Sequence, residues 1–233
     1  MSKKEEYIEF KEVDIKSLDI PNCADEELHC LENDKYLVPI FVENGTVYRG
    51  NGVIVGKYLV TAAHVAQSVN EKENYSELSF VFQKQSHTIS DKDIVFDGRG
   101  KEDEDGVHND LIVYKLDEIE SSFVNNIEEI EEGMRLASYP LNECDGCVEY
   151  RSGGCSIVSK EVFSFDKNEK FIWKNCFKVC FPWMIRHGDS GSPVFSKNVI
   201  YGILIEKCDE GESTRGIVLD ARYIQQRIEE YAQ

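Results

Sequence analysis

At 233 residues the chain is long enough for one large all-β unit or two small domains, and it can bury a substantial core either way. Forty-four Asp and Glu against 26 Lys and Arg give a formal net charge of −18, which argues against nucleic acid or an anionic membrane as partner, since both are gripped by excess Lys and Arg. The stretch after Met1, SKKEEYIEFKEVDIK, lacks the apolar core of a signal peptide, and no run approaches the roughly 18 apolar residues of a spanning helix. The chain therefore reads as cytoplasmic, with most of its eight cysteines expected as free thiols.

Residues 1–35 are charged and lack sustained alternation, so they read as an extension. From Tyr36 the texture changes. YLVPIFVENGTVYRGNGVIVGKYLVTAAHV contains short β-branched and aromatic runs cut by ENG and GNG, the pattern of antiparallel strands joined by tight turns. AAHVAQSV reads as one short helical turn. Further strands are expected at LSFVFQ, DIVFDG and DLIVYKL. The acidic stretch DEIESSFVNNIEEIEEG has no strand pattern and reads as a linker, with a domain boundary near residue 125. Beyond it GMRLASYP, CSIVSKEVFSF, KFIWKNCFKVCF, SPVFS, VIYGILIEK and RGIVLD supply a second group of strands, so the whole is a sandwich or a pair of barrels. The last segment, ARYIQQRIEEYAQ, spaces Tyr223, Ile224, Ile228 and Tyr231 as an amphipathic helix does.

The CDGC knuckle at 144–147 could supply half a zinc site, completed by Cys155, Cys176, Cys180 or Cys208. No second C-x2-C or H-x3-H follows at the expected spacing, so free thiols and no metal are preferred, and nothing implies a cofactor.

RHGDSGSPVF at 186–195 places an acid and a serine between glycines just ahead of an apolar run. A serine hydroxyl is a useful nucleophile only with a base in reach and a third group to orient that base. Of the five histidines, His64 alone follows a strand directly, beside the small Ala62 and Ala63. His29 and His108 sit in acidic segments, His87 lies in KQSHTIS, and His187 precedes the glycine turn. Asp110 opens NDLIVYKL, an acid at the mouth of an apolar strand.

TAAHV, NDLIVYKL and GDSGSPVF together resemble the three signature blocks of the chymotrypsin-fold, trypsin-like serine peptidases, in that family's order of His, Asp and Ser. The resemblance covers about residues 36–225. It implies an all-β fold of two six-stranded antiparallel barrels with a C-terminal helix: His64 and Asp110 on the first barrel (36–125), Ser190 on the second (126–233) and the site between them. Ser190 would be the nucleophile, His64 the general base and Asp110 its orienter, acting on protein or peptide substrates, with the N–H groups of Gly188 and Ser190 as the oxyanion hole. Met184 would lie near the base of the primary substrate pocket, with Ile205, Glu206 and Lys207 along one wall and Gly216 leaving room on another. An apolar base favours an uncharged, medium to large P1 side chain, although Glu206 could draw a basic one if it points inward.

Asp189 is expected to act as a latch. In zymogen-type relatives this acid is buried and paired with a new N-terminal amine. Here its partner could be an amine freed by cleavage near residues 20–36, a local cation or backbone N–H, or a second protein. With no clear activation site, a regulatory partner or processing event is the expectation. Arg186 and Ser196 stand where the resemblance would place cysteines, so the chain looks like an intracellular bacterial or viral offshoot. Such peptidases also serve as effectors in bacterial anti-phage (antiviral) defence, a role that nothing in the sequence establishes. The competing readings are a catalytically inactive scaffold on the same fold and a zinc-stabilised interaction module.

Overall fold

A computed structural model describes residues 36–42, 45, 47–67, 75–83, 85–99, 110–138, 141–144, 147–150, 153–160, 162–166, 169–173, 175–207 and 214–232, with 137, 141–144, 147–150, 153, 162–166 and 169–173 as main chain alone. The 1–35 extension, His29, His108 and the Cys144 and Cys147 side chains lie outside this description.

The first sheet holds β1 (Leu37–Val42), β2 (Val47–Val55), β3 (Tyr58–Thr61), β4 (Glu77–Phe82), β5 (Gln85–Ser90), β6 (Ile94–Asp97) and β7 (Ile112–Lys115), in the order β5-β4-β1-β2-β3-β7-β6. Its two edge strands are consecutive in the chain. Only the 3-10 turn Asp91–Asp93 separates β5 from β6, so they act as two halves of one bent strand and the sheet curls into a six-stranded ring. The corner is held by charge. Asp93 accepts from the Ser90 N–H at 2.8 Å, and the buried Arg99 guanidinium reaches Asp91 and Asp97, both at 2.9 Å.

Beyond β7 come β8 (Val124–Asn125), β9 (Arg135–Ser138), β10 (Leu141–Cys144), β11 (Cys147–Tyr150), β12 (Gly153–Ser159), β13 (Val162–Asp166), β14 (Glu169–Trp173), β15 (Cys176–Cys180), β16 (Pro193–Ser196), β17 (Val199–Lys207) and β18 (Arg215–Asp220), followed by α1 (Ala221–Tyr231). The second sheet runs β16-β9-β12-β15-β18-β17-β8, and an additional β16–β17 pairing closes six of these strands into a ring. The fold is therefore the expected one: two curled antiparallel sheets and one C-terminal helix. β10–β11 and β13–β14 stand apart as hairpins.

Several local expectations change. The GNG triplet does not turn; Gly50, Asn51 and Gly52 lie inside β2. A Cβ at Gly50 would come within 2.8 Å of the Ser190 carbonyl oxygen and of Val65 Cγ2, so close approach rather than turn geometry requires glycine there. The QSHTIS of KQSHTIS, read only as the surroundings of a histidine, is the whole of β5, where the His87 ring stacks on Phe80 at 5.3 Å. The acidic 117–133 stretch does more than link: it contributes β8 and buries Phe123 and Ile130, and the Ser121 hydroxyl donates to the Ile54 carbonyl.

One apolar cluster runs from the first sheet through Phe195, Ile200 and Ile203 to Tyr223, Ile224 and Ile228 of α1, so the helix is part of the core. Burial of each large apolar side chain contributes about 1.5–3 kcal/mol. Asp220 caps α1 by accepting from the Arg222 N–H at 2.8 Å. Tyr231, expected on the apolar face, is 56% exposed but meets Phe96 of β6 edge-on at 5.5 Å. No helix among the described residues is long and apolar enough to cross a membrane.

Candidate active site

Strand register brings His64 to Asp110. β3 and β7 are antiparallel, with Thr61 opposite Ile112, so the chain leaves β3 and enters β7 at the same end of the pair. Three residues past Thr61 lies His64, in the 3-10 turn Ala63–Ala66, and two before Ile112 lies Asp110. Both carboxylate oxygens are used. Asp110 Oδ1 accepts the His64 backbone N–H at 2.9 Å, and Oδ2 lies 2.7 Å from the ring Nδ1. Fully buried Ala62, Ala63 and Val65 pack beneath the turn, while the imidazole stays 42% exposed and Asp110 17%.

Burial alone would lower the His64 pKa. The charge of Asp110 and its hydrogen bond outweigh this, and Glu206 adds to them against Arg49, so the net shift is upward from the ordinary 6.5. The sign follows directly. A raised folded-state pKa stabilises the fold fully below 6.5, and that contribution is lost as pH rises through the folded value. A base must be neutral to accept a proton, so the rate of any His64-dependent reaction should rise with pH about a midpoint above 6.5. Asp110→Asn should move that midpoint down. A wild-type midpoint at or below 6.5 in a pH–rate profile would contradict this electrostatic account.

Ser190 arrives from the second sheet, in the turn ahead of β16. Its carbonyl accepts the Asn51 N–H of β2 at 2.7 Å, and the Gly191 N–H donates to the Leu204 carbonyl of β17 at 2.7 Å. β2 thus separates the Ser190 turn from Val65 by the width of Gly50. Gly188 and Gly191 have φ of +90° and +80°, values that L side chains rarely adopt. The Gly188 carbonyl accepts from Tyr48 Oη at 2.8 Å and from Asn51 Nδ2 at 2.7 Å, two contacts the sequence did not suggest because 140 and 137 residues separate the partners.

Asp189 is fully buried, and its Oδ2 accepts the Arg186 backbone N–H at 2.7 Å. Of the three partners considered for it, a backbone N–H of its own loop is therefore present. Met184, expected near the base of the primary pocket, is 57% exposed, and neighbouring Ile185 is buried. Gly216 leaves no spare room: a Cβ there would meet Leu204 Cδ1 at 2.5 Å, Ile185 Cδ1 at 2.9 Å and Phe181 Cε2 at 3.0 Å. Ile205 is buried in the core, while Glu206 and Lys207 are exposed at the end of β17.

Cys155, Cys176 and Cys180 are free thiols, and burial pushes Cys155 and Cys176 well above the ordinary 9.0, which makes them poor nucleophiles. Among the described residues no group of three or more His, Cys, Asp or Glu is placed to hold a metal ion.

The trypsin family model matches residues 31–226. The chain belongs to the trypsin family. Solved structures of similar fold include the active form of the Rv3671c protease from M. tuberculosis (TM-score 0.58, 14% identity, 86% of this chain and 82% of that one). Human heparin binding protein is similar at TM-score 0.58 and 13% identity, over 84% of this chain and 90% of that one. Neuropsin, a serine protease of mouse brain, aligns at TM-score 0.59 and 13% identity, over 89% and 98%. No curated protein matches the chain significantly.

Proposed function

We propose that the chain is a serine endopeptidase acting on proteins or peptides through Ser190, His64 and Asp110. The observation that carries this reading is the two-point contact of Asp110 with His64, which fixes the ring with Nδ1 toward the carboxylate and leaves Nε2 for a hydroxyl proton. Ser190 Oγ attacks the scissile carbonyl as Nε2 takes its proton, and the Gly188 and Ser190 N–H groups receive the oxyanion. The proton then passes to the leaving amine as the C–N bond breaks. Water, deprotonated by the same imidazole, hydrolyses the acyl-enzyme. A fluorophosphonate serine probe tests the reading: it should label the wild type and fail on Ser190→Ala, and equal labelling of both would refute it.

A second reading, an inactive scaffold on the same fold, is favoured by the apolar packing of Phe181, Ile185 and Leu204 about Gly216, where a substrate side chain was expected to enter. Failure of the wild type to label would support it.

Regulation by a partner protein or by processing is proposed on the position of Asp189, buried in the same turn as the nucleophile and the oxyanion donors. Whatever tightens that turn raises the rate. Removing residues 1–35 should increase labelling several-fold; an unchanged rate, with intact Met1 confirmed by mass spectrometry in the full-length sample, means the turn is ordered by its own contacts.

A further inference from the structure

We propose that Tyr48 and Asn51 are positioning residues for the oxyanion donors, holding the 188–190 turn of the second sheet from a strand of the first; the proposal rests on the peptidase reading above. Both side chains are buried, at 5% and 3% exposure, and both belong to β2. The Gly188 carbonyl receives Tyr48 Oη at 2.8 Å and Asn51 Nδ2 at 2.7 Å, so both of its lone pairs are engaged. Asn51 also donates its backbone N–H to the Ser190 carbonyl at 2.7 Å, and its own carbonyl is fixed by the Thr61 hydroxyl at 2.6 Å. The peptide that carries the Ser190 N–H therefore lies between two carbonyls pinned by one strand. Rotation of the Gly188–Asp189 peptide would break two hydrogen bonds to buried donors at once. The Tyr48 ring also sets the path of the turn, because a Cβ at Gly188 would lie 2.8 Å from its Cε1. Preorganised donors stabilise developing charge only while they stay aimed at it, so slackening these contacts costs rate without touching the nucleophile or base.

The test is the labelling rate of the full chain with a fluorophosphonate. In that reaction the Ser190 Oγ–P bond forms, the P–F bond breaks, fluoride leaves, His64 takes the hydroxyl proton, and the phosphoryl oxygen occupies the oxyanion position. Tyr48→Phe keeps the ring and its edge-on contact with Phe41 and removes only the hydroxyl. It should slow labelling about 3- to 10-fold, the worth of one hydrogen bond. Asn51→Leu should slow it by at least as much, and the double variant should approach the roughly 100-fold loss of an oxyanion donor. The midpoint of the pH–rate profile should not move, because neither side chain bonds His64 or Asp110. Thermal melting of Tyr48→Phe should fall by no more than the few degrees that one hydrogen bond supports, leaving the chain folded at the assay temperature, which separates positioning from general loosening. Wild-type rates in Tyr48→Phe and Asn51→Leu would overturn the proposal while leaving the peptidase reading intact. A shifted pH midpoint, or a rate loss accounted for by the unfolded fraction, would overturn it as well. An unlabelled wild type would overturn both.

Discussion

Ser190→Ala and His64→Ala should each lower cleavage of a fluorescent denatured-protein substrate by about a million-fold, the loss expected when one member of a nucleophile–base unit is removed. Ser190 is half-buried in a turn held by its backbone, and the His64 ring is 42% exposed, so neither loss should lower the melting temperature appreciably. Asp110→Asn should cost about ten-thousand-fold for a reason visible in the contacts. One oxygen of Asp110 accepts a backbone N–H and the other faces Nδ1. Asparagine keeps one acceptor. If that acceptor stays on the backbone, the amide NH2 points at Nδ1 and drives the ring proton to Nε2, where it blocks acceptance of the serine proton. Near-wild-type turnover in Asp110→Asn would show that Asp110 does not set the tautomer of His64.

Gly191→Ala should be the most damaging single change to stability, at about 4 kcal/mol or more, in the range reserved for buried clashes and backbone strain. The added Cβ would overlap the Asn51 carbonyl oxygen and lie 2.6 Å from Thr61 Oγ1, at a φ of +80°. Both obstacles sit on the first sheet, so the turn could escape only by pulling away from β2 and losing the Asn51–Ser190 bond. Gly56→Ala is the matched control. It has φ +54° and nothing within 4 Å, so it carries strain alone, about 1–2 kcal/mol. Denaturant melts of the two variants isolate the clash, and equal destabilisation would mean that the Ser190 turn does not press against β2 as described.

Short β-branched and aromatic runs cut by turn residues were enough to call for two groups of antiparallel strands. The terminal helix was legible from its apolar spacing near period 3.6, and Asp220 sits at its cap. The three blocks around His64, Asp110 and Ser190 were legible because each is local: a turn after a strand, an acid before a strand, glycines about a serine. Contacts between distant segments left no such trace. Gly50 and Gly52 read as turn formers, since sequence shows that a side chain is missing but not that the Ser190 carbonyl and Val65 on one side, and Ile40 and Leu59 on the other, occupy its place. Met184 and Gly216 were placed at a pocket by resemblance; that Phe181 and Ile185, from the segment after β15, and Leu204 of β17 crowd the Cα of Gly216 is a long-range contact that no local stretch announces. Register decided the rest. Setting Thr61 opposite Ile112 carries His64 to Asp110, and setting β2 across the 188–190 turn gives Tyr48 and Asn51 their hold on Gly188; both are long-range pairings whose geometry no single segment encodes.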